Sequence, residues 1–348
     1  VVVGGGFIGL EMAENLKEAG VDVTILEAMD QVMAPLDFEM AQMLHGEIRD
    51  KGIRLELGDP VASFEDKGDT VVTTLKSGTA VEAELVVLSI GVRPNSGIAK
   101  DADLPLNARG GILVDDYMQT EDPNIFAVGD VVEVLDFNTG GRTMVPLAGP
   151  ANKQGRIVAD NLAAVAKGEE PHTMYAGTQG SSVVKVFDYT AASTGRNEKA
   201  LIAAGLEKGK DYEVVYVTQN HHAGYYPGAL PMVIKLIVEK KDPTDSHILG
   251  AQIVGYDGVD KRIDTLGVAL RLGATVDDLT DLELAYAPPY SSAKDPVNMA
   301  GFAAQNALRG IVAFSDWNFE ETTPDAVILD IREDAERMVS KLPDAVEI

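Results

Sequence analysis

Val1-Val2-Val3 runs directly into Gly4-Gly5-Gly6-Phe7-Ile8-Gly9, a fit to the pattern G-x-G-x-x-G. Alone, that pattern is weak. Here a β-branched run precedes it, and Ile8, Met12, Leu16 and Ala19 follow at the three- and four-residue spacing of a helix that Gly20 ends. Val21 to Leu26 alternates as a second strand and stops at an acid, Glu27, 21 residues after Gly6. Strand, glycine loop, helix, strand and acid at this spacing predict a Rossmann-type dinucleotide site. Gly4 permits the tight turn, Gly6 lets the backbone approach a pyrophosphate, and Gly9 lets the helix pack closely on the sheet. The helix N-terminus, at Phe7 and Ile8, adds unpaired N–H groups and a positive dipole end. Glu27 accepts hydrogen bonds from ribose hydroxyls and repels a 2′-phosphate. No Arg or Lys occurs from Ala28 to Asp37, so NADH is expected over NADPH.

Composition excludes several other roles. The 348 residues suggest two or three domains. Acids outnumber bases 55 to 29, a net charge of −26, which disfavours phosphate backbones and anionic membranes alike. The longest apolar run, Leu85 to Val92, is broken by Ser89 and Gly91 and is far short of a bilayer span. With no cysteine there are no disulfides, thiolate metal sites or cysteine nucleophile in these residues. The five histidines show no metal-ligand spacing, and His221-His222 reads as part of a polar loop. No metal site is expected.

Further along, Phe38 to Lys51 reads as a helix, and Ile53 to Leu57, Val71 to Leu75 and Leu85 to Ile90 as strands. The last is apolar on both faces, as a buried parallel strand should be. Short strands are expected at Gly111 to Val114 and Ile125 to Val128, with a helix at Ala151 to Val165. Antiparallel strands follow at Val183 to Phe187, Glu213 to Val217, Met232 to Val238 and Ile248 to Val254, then helices at Val259 to Leu272 and Pro296 to Leu308. The fold class expected is α/β followed by an α+β unit. Val1 without an initiator Met, and a last stretch from Leu342 to Ile348 without a closing turn, read as the ends of an internal fragment.

Four stretches together resemble the flavin-dependent pyridine nucleotide-disulfide oxidoreductases, in the branch of coenzyme A-disulfide reductases, NADH oxidases and persulfide reductases. They are Val1 to Leu16, with Glu11 at the family's usual place; Gly91-Val92-Arg93-Pro94-Asn95; Asn124-Ile125-Phe126-Ala127-Val128-Gly129-Asp130; and Tyr286-Ala287-Pro288-Pro289-Tyr290 through Asn298. The resemblance implies a nicotinamide domain at 1–92 and the C-terminal part of a flavin domain at 93–172. A dimerisation domain would follow at 173–312. Gly129 and Asp130 would hold the ribityl chain of FAD, and Pro146-Leu147-Ala148 would approach its ring. The first flavin loop and the redox cysteine of relatives would lie before Val1, so the fragment alone is expected to be inactive. Tyr226, in His221 to Gly228, and Tyr286 resemble two tyrosines that reach the partner subunit's site; the residues alone favour simple packing of a dimer interface about two to one, and the resemblance brings the two readings near even. Ala326 to Glu333 resembles the start of a rhodanese domain at 313–348, with an acidic helix at Glu333 to Ser340. What the resemblance implies is a cytoplasmic, homodimeric, FAD- and NADH-dependent reductase of a coenzyme A-linked disulfide, persulfide or polysulfide. Hydride would pass from NADH to flavin, and electrons through a cysteine to sulfur. The alternatives are an NADH oxidase or peroxidase of the same family, or a silent NADH-binding dimeric scaffold.

Overall fold

The computed structural model describes residues 1–319, 323–338 and 344–347. Val1–Ile311 form one compact unit and Val312–Ile348 a second.

The first unit opens as the glycine loop requires. Strand β1 (Val2–Val3), helix α1 (Phe7–Glu18), strand β2 (Thr24–Leu26), helix α2 (Phe38–Asp50) and strand β3 (Arg54–Glu56) follow one another. An antiparallel meander of β4 (Val61–Asp66), β5 (Val71–Leu75) and β6 (Ala80–Ala83) comes next, then β7 (Val87–Leu88). The parallel sheet has the order β3-β2-β1-β7, a mononucleotide-binding half in which the meander stands where a crossover helix would. The strand expected at Leu85 to Ile90 shrinks to two residues, and Leu85, Leu88 and Ile90 are exposed. In this sheet β7 is an edge, paired with β1 alone, so it is not buried on both faces.

Helix α3 (Gly97–Asp101), strands β8 (Ile112–Leu113), β9 (Val132–Leu135) and β10 (Arg142–Thr143) and helix α4 (Ala148–Val165) come next. The strand expected at Ile125 to Val128 is reduced to one antiparallel bridge, Phe126 to Gln119, flanked by Thr120 N–H to Ile125 O at 2.9 Å and Ala127 N–H to Met118 O at 3.1 Å, while Ile125 N–H closes the intervening turn on Asp122 O at 3.0 Å. Helix α4 begins at Ala148, not Ala151. Pro150 sits in its first turn, where an N–H has no intrahelical acceptor to lose.

The remainder of this unit is a five-stranded antiparallel sheet, order β11-β12-β15-β14-β13. Its strands are β11 (Ser182–Val186), β12 (Tyr189–Gly195), β13 (Tyr212–Asn220), β14 (Pro231–Glu239) and β15 (Ile248–Gly255). Helix α5 (Glu198–Ala203) joins β12 to β13. Helices α6 (Val259–Arg271), α7 (Val276–Asp281) and α8 (Pro296–Leu308) complete it. One core cluster unites the sheet with α6 and α8 through Ile234, Ile253, Ile263, Leu266, Ala300 and Ala304. Another joins Val184, Val186 and Val254 to the α2 stripe Met40, Leu44 and Ile48. Each fully buried Leu or Ile in that stripe contributes about 1.5–3 kcal/mol of hydrophobic stabilisation. The nicotinamide-type sheet is thereby fixed to the antiparallel sheet by its own helices.

The second unit contains β16 (Leu329–Asp330) paired in parallel with β17 (Val346–Glu347), and a short helix α9 (Asp334–Arg337). Within the stretch Ala326 to Glu333 the strand covers only Leu329–Asp330. Of the acidic helix expected to Ser340, the end lies outside the described residues. The carboxylate of Asp330 accepts from Arg332 Nε at 2.9 Å and its terminal nitrogen at 2.8 Å, which lowers the Asp330 pKa to about 2.

Candidate functional site

The glycine loop is built as its spacing demands. Gly4 has φ +108°, and a Cβ there would lie 2.3 Å from Ser89 O. A Cβ on Gly9 would lie 1.9 Å from Gly4 O, so only glycine lets α1 sit this close to the loop. Around a Cβ on Gly6 there is nothing within 4 Å: this face of the loop opens to a ligand. Gly6 is also the N-cap of α1, with no side-chain cap, so the first-turn N–H groups remain available to a pyrophosphate.

A cleft of ≈ 560 Å³ lies against this loop. Gly4, Gly6, Glu27 and Gly91 line it, as do Met29, Gln31, Ser89, Asp59 just before the meander and Phe64 within it. Phe7, Ile8, Gly9 and Glu11 lie outside the lining: Phe7 packs on the core, and Ile8 and Glu11 are exposed. Glu27 ties the cleft together. Its Oε2 accepts from Gly5 N–H at 2.6 Å and its Oε1 from Met29 N–H at 2.9 Å. Each oxygen keeps a lone pair for a ribose hydroxyl. Of the meander, the sequence showed β5 at Val71 to Leu75 but not β4, which is exposed, ends on two acids and lacks clear alternation.

The wall after β2 is held from two sides. His45 Nε2 accepts from Val32 N–H at 3.1 Å, and Met33 N–H donates to Gly5 O at 2.9 Å. Lys199, from α5, donates to Gln31 Oε1 at 3.2 Å, Ala34 O at 2.9 Å and Leu36 O at 2.6 Å; burial lowers its pKa. Behind this wall lies Lys235, fully buried, bonded to Asp37 and Glu198 at 2.8 Å each and to Glu39. The three carboxylates have the spacing of a metal site, but they converge on this ammonium. Burial alone would raise the Asp37 carboxyl; Lys235 and the N–H donors of Glu198 and Gln252 hold it low.

The flavin-motif residues form an open ledge. Gly129, φ +89°, donates to Gln154 Oε1 at 2.8 Å on α4. Asp130 is exposed and makes no hydrogen bond or ion pair with a described residue. Helix α4 begins beside Pro146 and Leu147, at Ala148, with no side-chain cap. A free acid and an uncapped helix N-terminus suit a polyol and an anionic ring, so these residues fit FAD.

The tyrosines lie on two loops. Tyr286 OH and Tyr225 OH are 2.9 Å apart, and this hydrogen bond raises the Tyr286 pKa. Tyr226, expected as Tyr286's companion, instead sets its ring edge-on to His222 at 5.6 Å, 86° between planes. His221 and His222 lie in a loop, but buried in it, 8% and 4% exposed.

Two family models match the chain, both of the pyridine nucleotide-disulphide oxidoreductases: the main domain over residues 1–155 and the dimerisation domain over 181–296. The chain belongs to this family. Among curated relatives, the coenzyme A disulfide reductase of Staphylococcus epidermidis is 38% identical over 306 residues, 88% of this chain and 66% of its own. Among solved structures, reduced CoADR-RHD of Bacillus anthracis has TM-score 0.90 and 46% identity, covering 100% of this chain and 60% of that one. A NAD-dependent persulfide reductase from A. fulgidus has TM-score 0.90 and 39% identity, over 100% of this chain and 61% of its own. The chain thus spans about two thirds or less of the length of these oxidoreductases. Among the described residues no helix is long and apolar enough to cross a membrane.

Proposed function

We propose that the protein is a homodimeric, FAD- and NADH-dependent reductase of a disulfide, persulfide or polysulfide, carried on coenzyme A, and works in the cytoplasm. The observation that carries the reading is the hydrogen-bonded pair Tyr225–Tyr286 on exposed loops, in a chain whose other end holds a dinucleotide cleft. The similarity to coenzyme A disulfide reductases and a NAD-dependent persulfide reductase supports this choice of substrate and cofactor. FAD, when bound, relays two electrons between nicotinamide and sulfur. The chain's own work is to bind and orient. Gly6 and the α1 N-terminus hold the pyrophosphate, and Glu27 takes the ribose. Asp130 and the start of α4 hold the flavin. Tyr286, its proton retained through Tyr225, donates to the thiolate that develops as the sulfur–sulfur bond breaks. Residues 313–348 are the start of a rhodanese domain.

The test uses full-length protein with Tyr225→Phe, Tyr226→Phe and Tyr286→Phe. Substrate reduction should fall by ~10²-fold in Tyr286→Phe, less in Tyr225→Phe, with flavin reduction by NADH unaffected. Tyr226→Phe should be near wild type. Unchanged reduction in the Tyr225→Phe/Tyr286→Phe protein would reduce both residues to packing.

A further inference from the structure

The tyrosine loops meet at one buried guanidinium. Arg262, on α6, is 1% exposed and Asp295 is 2% exposed. Arg262 donates to Asp295 Oδ2 from a terminal nitrogen at 2.9 Å and from Nε at 3.2 Å. That same terminal nitrogen donates to His221 O at 2.7 Å and to Ser291 Oγ at 3.3 Å. Its other terminal nitrogen donates to Gly258 O at 3.2 Å. Ser291 Oγ in turn donates to Asp295 Oδ2 at 2.6 Å, and Ala223 N–H to Ser291 O at 3.1 Å. His221 begins the loop that carries Tyr225, and Ser291 lies within the loop from α7 to α8 that carries Tyr286. Asp295 also caps α8, accepting from Val297 N–H at 3.0 Å.

Burying an ion pair is a poor way to gain stability, since apolar residues of similar volume often do as well or better. What the arginine adds is direction. A planar fork fixes several acceptors at once, and here they belong to two loops and the helix cap. The backbone makes room for it: Gly258 has φ +67°, and a Cβ there would lie 2.3 Å from a terminal nitrogen of Arg262.

We propose that Arg262 and Asp295 are positioning residues whose hydrogen bonds to the His221 and Ser291 loops hold Tyr225 and Tyr286 in register for sulfur reduction. This rests on the tyrosine role proposed above. Neither side chain touches the tyrosines; they act through the loops.

The experiment uses full-length holoenzyme with 3-fluorotyrosine at position 286, followed by ¹⁹F NMR against pH, alongside turnover and thermal unfolding. Three proteins are compared: wild type, Arg262→Lys, and the apolar pair Arg262→Met/Asp295→Leu. The apolar pair is designed to keep the packing while deleting the directional bonds. In both variants Tyr286 should titrate at lower pH than in wild type, because Tyr225 no longer holds its proton. kcat for the sulfur substrate should fall by ~10²-fold, the usual consequence of an ångström of misplacement, with flavin reduction by NADH unchanged. If the apolar pair folds and Tyr286 titrates as in wild type, the positioning role is overturned. If the tyrosine titration moves in the variants but Tyr286→Phe leaves turnover intact, positioning stands and the tyrosine's chemical role fails. Should the apolar pair fail to fold, Arg262→Lys decides, since it keeps the charge and loses the fork.

Discussion

Acid should loosen the wall of the nucleotide cleft through His45. This ring is 1% exposed on α2, and its Nε2 accepts from Val32 N–H, so it is neutral, with its proton on Nδ1 facing Gln42 Oε1 at 3.2 Å. Burial, and the nearby Arg49, lower its pKa to about 4 from 6.5, with Asp30 opposing. The folded chain therefore binds fewer protons than the unfolded chain between these values. The stability this represents is present above pH 6.5 and is lost as pH falls towards 4. Shifted by about 2.5 units, the group costs about 3.4 kcal/mol in full, of which about 2.5 kcal/mol is gone by pH 4.5. Urea unfolding of wild type and His45→Gln at pH 7.0, 5.5 and 4.5 isolates it, because carboxylate titrations are common to both proteins. The wild type should lose about 2.5 kcal/mol more than the variant between pH 7.0 and 4.5. A difference between the two that does not change with pH would refute the reasoning.

Other outcomes follow from the same geometry. Glu27→Ala should narrow the preference for NADH over NADPH by about 1–3 kcal/mol, measured by calorimetric titration of both nucleotides; equal wild-type affinities would remove the role given to Glu27. Gly6→Ala should leave stability nearly unchanged yet weaken nucleotide binding, whereas Gly9→Ala should destabilise the fold by driving a methyl into Gly4 O; urea curves beside the titrations separate the two. Lys235→Met strands Asp37, Glu39 and Glu198 without their cation and should cost about 3–5 kcal/mol, read from denaturant midpoints.

What the sequence disclosed was whatever is encoded within one stretch of chain. The glycine loop and Glu27 are separated by a single helix and strand, so their spacing carries the geometry; α8 is announced by Asp295, Pro296 and the cap that Asn298 completes. Strands of β-branched residues such as β14 were equally plain. Strand β12 was not, because Ala191, Ala192 and Ser193 carry little β signal and are ordered by their neighbours β11 and β15. Nothing local could reveal Lys235 among three carboxylates, two of them almost 200 positions away, or Arg262 joining His221 to Asp295. That Tyr225 is hydrogen-bonded to Tyr286 while the adjacent Tyr226 packs on His222 is of the same kind, a pairing of two loops that no local pattern announces.

The central claim concerns where the electrons go. Full-length protein is mixed anaerobically with one equivalent of NADH in a stopped-flow spectrophotometer, aged until flavin absorbance is bleached, then mixed with coenzyme A disulfide or coenzyme A persulfide. The account predicts that flavin absorbance returns in the absence of oxygen and that free thiol or sulfide appears in step with it. Return only on admitting oxygen, with the sulfur compounds inert, would contradict it.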